Sequence, residues 1–170
     1  MPMTAGGPSV ADLEPAKLVC PLCIIDIKAK AKDDGNAMVM KSDIEAWVSA
    51  NGEIPKGACV AMNSGWAAKV AAPEYRNTPD GAFAFPGFSK EATDLLTEIG
   101  AASIGVDTLS LDPGNSKDCA VLYSWLPSGH YGSENLANLD SLPAKGATIF
   151  VGAPKHKAGT GGPARVMAMV

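Results

Sequence analysis

Two histidines in 170 residues leave little room for imidazole chemistry. A nucleophile triad needs a histidine as its base, and neither His130 nor His156 has a recognisable nucleophile motif beside it. Basic clusters are also missing. With 14 Lys and Arg against 18 Asp and Glu, and a net charge of −4, nucleic acid is not an expected partner. No apolar run reaches membrane-spanning length, so no membrane partner is expected. The opening "MPMTAGGPSV" has neither the charged start nor the apolar centre of a signal peptide, and the expected location is the cytoplasm. In a chain without an export signal, the four cysteines Cys20, Cys23, Cys59 and Cys119 are expected as reduced thiols.

What remains is globular in composition, 46% hydrophobic and 19% charged. A chain of this length buries most of its apolar surface as one domain, residues 1–170. Eighteen Gly and thirteen Pro imply many turns and short elements. No repeat, coiled coil or linker interrupts it.

Local patterns predict an alternation of strands and helices. Residues 1–16 read as loop. "KLVCPLCIIDIKAK" reads as a strand dense in β-branched residues, with Pro21 marking an edge or a bulge, and "KDDGNA" as a turn. "SDIEAWVSANG" reads as a helix capped by Ser42, with Glu45 at capping-box spacing and Gly52 at its end. "GACVAMNSGW" reads as a strand buried on both faces, and residues 67–88 as irregular. Ser89 should cap a helix through Ile99 that presents Ala92, Leu95, Leu96 and Ile99 on one face, closed by Gly100. "ASIGVDTLSLD" is a third strand with a loop after it. Ser133 should cap a further helix carrying Leu136 and Leu139, closed by Pro143. "GATIFVGAP" and "ARVMAMV" are the last strands, joined by the loop "KHKAGTGG". The expected class is α/β or α+β in a single domain.

Three motifs invite chemistry. "CPLC" is a CxxC pair, but zinc normally needs further ligands nearby in space, and a redox pair sits at a helix start. On a strand, Cys20 and Cys23 point to opposite faces, as small core residues would; the alternative is a thiol or metal module built on the pair. "AGTGGPAR" lacks the Gly-Lys-Ser/Thr ending of a phosphate loop and leads into a strand, so it reads as a turn. His130 and Glu134, four apart, could share a metal if both were helical, but Pro127, Gly129 and Gly132 break such a helix. His156, between two lysines, reads as a solvated loop residue.

The blocks "FPGFSKEATDLL", "IGVDTLSLD", "WLPSGHYGSENLANLDSLPAKGATIFVGAPK" and "GTGGPARVMAMV", in that order, resemble the cyclase family of metal-dependent hydrolases, which includes bacterial kynurenine formamidases and isatin hydrolases. The resemblance runs from about Gly6 to the last residue. It implies a swivelling β/β/α fold and hydrolysis of a small-molecule amide, formamide or lactam by water held on zinc or manganese. An arylformamidase-like activity, N-formylkynurenine to kynurenine, is the type. It also implies a homo-oligomer.

Carried over by position, the family's metal site is incomplete. Its main ligand motif, His-Gly-Thr-His-x-Asp-x-Pro-x-His, lies just before a segment resembling "GGPSVADLEPAKLV", and only "MPMTA" precedes that segment here, with Pro2 as the one residue the motif could claim. Of the two later ligands, a histidine and then a glutamate twelve residues on, the glutamate is Glu134. Leu122 stands where the histidine is expected. Glu134 is therefore the one metal ligand the resemblance assigns. His130 occupies a loop position that varies in the pattern; the alternative is that it stands in for the lost histidine. An acid in the first turn of a helix would also be favoured by the helix dipole alone.

Relative to the family, the chain reads as N-terminally truncated. Two accounts present themselves, truncation and decay, and Leu122 favours decay because a lost leader does not change a residue in the middle. A sheet without its early strands should expose an edge and apolar surface, which predicts self-association or poor solubility. The alternative to an enzyme is a non-catalytic structural or regulatory partner of a complete homologue.

Overall fold

A computed structural model describes residues 8–170. Pro2 and Gly6, to which the resemblance assigned the motif proline and the start of the matching segment, lie outside the described residues. Among the described residues there are eight strands: β1 Val19–Asp26, β2 Met38–Val39, β3 Cys59–Asn63, β4 Gly87–Phe88, β5 Ser103–Val106, β6 Tyr131–Ser133, β7 Lys145–Gly152 and β8 Arg165–Met169. Five helices accompany them: α1 Pro15–Leu18, α2 Lys28–Asp33, α3 Lys41–Asn51, α4 Lys90–Ile99 and α5 Ala120–Trp125. The class is α/β. A six-stranded sheet runs in the order β6-β5-β3-β1-β7-β8, parallel from β6 to β1 and antiparallel at β7 and β8, and β2 and β4 form a separate parallel pair.

The sheet separates two cores. On one face α3, α4 and α5 deliver Ile44, Trp47, Ala92, Leu96, Val121 and Trp125 onto Cys23, Ile25, Val60, Met62 and Ile104. On the other, Ala147, Ile149 and Val151 of β7 share a core with Leu22, Ile24, Ala61, Leu136 and Leu139. Strand alternation sends Cys20 to the second core and Cys23 to the first, as their odd spacing requires. β3 is buried along its whole length, as expected.

Helix α4 follows its local signals. The Ser89 hydroxyl accepts from the Ala92 N–H at 3.2 Å, and Gly100 closes the helix in the left-handed region at φ +85°. Other expectations change. The strand from Lys17 stops at Asp26, because the Lys- and Ala-rich stretch after it is a good helix former and becomes α2, nucleated where the Asp26 carboxylate accepts the Lys28 N–H at 2.9 Å. Residues 1–16 were expected as loop, but within the described part a 3-10 turn forms at Val10–Asp12 and α1 begins at Pro15, a residue preset for a first helical position. Pro21 does not mark an edge, since β1 lies inside the sheet. It precedes a bulge between Leu22 and Cys23, and β3 begins to pair only at Leu22, so the missing N–H disturbs one neighbour at most.

Ser42 is not a cap. Helix α3 starts at Lys41, and the Asp43 carboxylate takes the Met40 N–H at 2.7 Å while pairing with Lys30 at 2.6 Å, a charge-assisted arrangement a serine cannot match. Gly52 does end it, at φ +79°. The helix expected after Ser133 does not form. Tyr131, Gly132 and Ser133 pair with β5, and Asn135 and Asn138 take left-handed backbone at φ +58° and +61°. Leu136 and Leu139 still reach one core, but from a loop and a 3-10 turn. The helix of this region lies earlier, as α5. Its first turn is capped from outside, with the Asp112 carboxylate accepting the Val121 and Leu122 N–H groups, each at 2.9 Å.

The sheet ends differ. β6 is three residues long, whereas β8 is an open edge of five. Met167 and Met169 on β8 are 56% and 61% exposed. Among the described residues, no helix is long and apolar enough to cross a membrane.

Candidate functional site

Four parallel strands run the same way, so their carboxyl ends gather Asp26, Asn63, Asp107 and Glu134 at one border of the sheet, where ligands of open α/β sheets bind. Asp107 organises this border. It is 1% exposed, and its carboxylate accepts the Ser64 hydroxyl at 2.6 Å, the Trp66 N–H at 2.8 Å and the Ser64 N–H at 3.2 Å. The turn after β3 is thereby tied to the end of β5. The Tyr75 hydroxyl donates to Asn135 Oδ1 at 2.8 Å and lies 3.2 Å from the Asp107 backbone carbonyl, while the Asn135 N–H donates to the Thr108 carbonyl at 2.9 Å. These bonds fix the turn that carries Glu134. No local pattern pointed to Asp107 or Asp112; their shared block "VDTLSLD" was the available signal.

A close approach shapes the neighbouring wall. Gly87 of β4 lies so near the Asp112–Pro113 peptide that a β-carbon there would meet Pro113 N at 2.4 Å. Only glycine lets Phe88 donate to the Leu111 carbonyl at 2.8 Å. Leu111 lines a cavity of about 830 Å³, which Leu122, His130, Glu134 and His156 also border. The two positions that the resemblance gives to late metal ligands, Leu122 and Glu134, therefore share one cavity, reached from α5 and from the end of β6.

His130 is not a second ligand beside Glu134. The two residues bracket strand β6, whose rise of about 3.3 Å per residue sets their α-carbons about 13 Å apart. The imidazole is built into the fold. It stacks on Trp125 with ring centroids 4.0 Å apart. Ser128 Oγ gives its proton to the Trp125 carbonyl (2.7 Å) and so accepts at His130 Nδ1 (2.8 Å). Burial, then the Lys17 charge, lowers the His130 pKa below the usual imidazole value. His156 lies exposed on the loop after β7, as expected.

Other donor atoms are already committed. Asp26 and Asp140 both hold Lys28, and Asp140 also accepts from the Asn63 amide at 2.9 Å. Burial pushes the Cys23 thiol up to about 11 and Cys59 up to about 12, so both stay protonated and are poor metal ligands. Among the described residues no three His, Cys, Asp or Glu side chains come together as a metal site would need. Catalytic zinc uses about three protein ligands. The donors present do not fit the metal that the family resemblance implies.

Glu134 is not the helix-dipole acid of the sequence reading, because no helix begins there. It has no ion-pair partner among the described residues, and although the residue is open to solvent overall, its carboxyl is crowded enough that desolvation raises its pKa. A raised folded pKa means that the folded state holds the proton more tightly. Below the ordinary value of 4.5 both states are protonated and nothing is lost; above the raised value the ionised carboxylate costs stability in full. Glu134→Gln is therefore expected to raise the melting temperature at pH 7 and to leave it unchanged near pH 3. A lower melting temperature at pH 7 would mean that Glu134 holds a cationic partner.

Comparison with known proteins identifies the family. Residues 2–113 match the Cyclase family model. An isatin hydrolase from Roseibium aggregatum is 29% identical over 164 residues, covering 93% of this chain and 62% of that protein. A solved isatin hydrolase bound to the product analogue thioisatinate superposes with a TM-score of 0.93 at 25% identity, over 99% of this chain and 66% of its own. Isatin hydrolase A from Labrenzia aggregata, solved with benzyl benzoate, gives 0.92 at 31% identity, over 99% of this chain and 68% of its own. The chain thus spans about three fifths of the curated relative and about two thirds of the solved ones.

Proposed function

Because the chain belongs to the cyclase family, we propose that its cavity is the substrate pocket of an arylformamidase-like hydrolase of amide, formamide or lactam C–N bonds, and that this polypeptide by itself does not turn such substrates over. The observation that carries the reading is that Leu122 and Glu134 border one cavity. An isobutyl group cannot donate a lone pair, so the wall offers one carboxylate where a catalytic metal centre needs about three donors.

The chain's own residues do not replace the lost electrophile. Glu134 is the one carboxylate among the described residues lining the cavity. A carboxylate can take a proton from water, but it cannot also polarise the carbonyl that the water attacks. His130 is held by Trp125 and Ser128, and His156 stands on an exposed loop. What the cavity retains is shape: Leu111, Leu122, Leu126 and Val151 give apolar walls suited to an aromatic amide or lactam.

The test is turnover. The purified chain, incubated with isatin or N-formylkynurenine in the presence of added zinc or manganese, is expected to hydrolyse each no faster than the same buffer without protein. Saturable, protein-dependent hydrolysis would overturn the proposal.

A further inference from the structure

Away from the cavity, we propose that Asn51–Gly52 is a site of spontaneous deamidation and isomerisation, kept shut by the end of α3 and by Lys145 of β7. It is the one Asn-Gly pair in the sequence. The chemistry needs no enzyme. The Gly52 backbone nitrogen attacks the Asn51 side-chain carbonyl carbon, a C–N bond forms, and ammonia leaves a cyclic succinimide behind. Water then opens the ring at one carbonyl or the other, to aspartate or to isoaspartate. Glycine suits the first step because no β-carbon screens its nitrogen. Asn51 is partly buried and Gly52 exposed, so water reaches the pair.

In the folded chain both reacting groups are occupied. Helix α3 ends here, with Gly52 at φ +79°. The Gly52 N–H donates to the Val48 carbonyl at 2.8 Å. The Asn51 side-chain amide donates to the Trp47 carbonyl at 3.0 Å, which turns it back along the helix and away from Gly52.

A clamp from another element crosses the same pair. Lys145 Nζ donates to the Asn51 carbonyl at 3.2 Å and to the Glu53 carbonyl at 2.8 Å. A carbonyl and the next N–H share one rigid peptide plane, so holding the Asn51 oxygen also holds the Gly52 nitrogen. The ring closes only when the last turn of α3 opens and Lys145 lets go, a local unfolding event.

The product does not fit the place where it forms. Either acid loses the amide that donated to Trp47. Isoaspartate also carries the main chain through the former side chain, which lengthens the backbone where Lys145 binds. The same helix turn reaches β1, since Trp47 Nε1 donates to the Ile24 carbonyl at 2.8 Å. The conversion is one-way and loosens the junction of α3, β1 and β7.

Peptide mapping by mass spectrometry tests this on the full chain, aged at neutral pH either folded or unfolded in urea. Conversion at Asn51 is expected to run at least about tenfold slower in the folded chain than in urea. Lys145→Met keeps the aliphatic stem and removes the donors, and should speed conversion in the folded chain at least about threefold, whereas Lys145→Arg keeps donors for both carbonyls and should stay within about twofold of the unaltered rate. Equal rates folded and unfolded, no conversion in urea, an unchanged rate in Lys145→Met, or the same acceleration by both variants would each overturn the proposal. The folded-against-urea comparison uses the unaltered chain alone, so it stands even where a variant fails to fold.

Discussion

Asp107→Ala is expected to lower the unfolding free energy by about 3–5 kcal/mol, since each buried donor left without a partner costs roughly 1–3 kcal/mol. Three donors lose their acceptor: the Ser64 hydroxyl, the Ser64 N–H and the Trp66 N–H. The hydroxyl can turn to another acceptor, but the two backbone groups cannot. Asp107→Asn keeps one carbonyl oxygen and should cost about half as much. The substitution reaches the cavity as well, because the segment that Asp107 anchors carries Thr108, whose carbonyl holds Asn135 beside Glu134. Urea denaturation measures the effect. A loss below about 1 kcal/mol would mean that water satisfies the freed groups.

The difference between Asp107 and the elements legible in the sequence is one of range. Helix α4 declared both its ends locally, through Ser89 and Gly100. β3 declared itself by a continuous apolar run, and β7 and β8 by β-branched and apolar residues around a Gly- and Pro-rich loop. The missed elements depend on distant partners. The cap of α5 comes from Asp112, nine and ten residues before the N–H groups it binds. β6 exists because β5 lies beside it, and its "YGS" has no strand signature of its own. The spacing of Leu136 and Leu139 was read as helical, and burial on one side was correct, but Leu136 reaches the core from a loop and Leu139 from the start of a 3-10 turn.

The candidate site was legible only in part for the same reason. Glu134 and Leu122 could be aligned to a family pattern, yet their meeting in one cavity depends on α5 and β6, neither of which the local pattern predicted. His130 shows the reverse. Its spacing from Glu134 suggested a shared ion if helical, and the strand between them removes that option. Its contacts with Trp125 and Ser128 make it part of the packing under the cavity rather than a free base.

The second large effect is an all-or-none one, the capacity to keep a metal. Glu134 is the one carboxylate lining the cavity among the described residues where about three donors are needed; His130 is held by Trp125 and Ser128, His156 stands on an exposed loop, and Asp26 and Asp140 pair with Lys28. Adding one imidazole by Leu122→His sets one nitrogen donor beside the Glu134 carboxylate, still short of that number while His130 and His156 are placed as above. The most direct measurement is therefore elemental analysis of the chain and of its Leu122→His variant, each purified after exposure to excess zinc and manganese and then freed of unbound ions. Both are expected to retain less than about 0.1 ion per chain. Close to one ion per chain in the unaltered protein, lost on Glu134→Gln, would contradict the account.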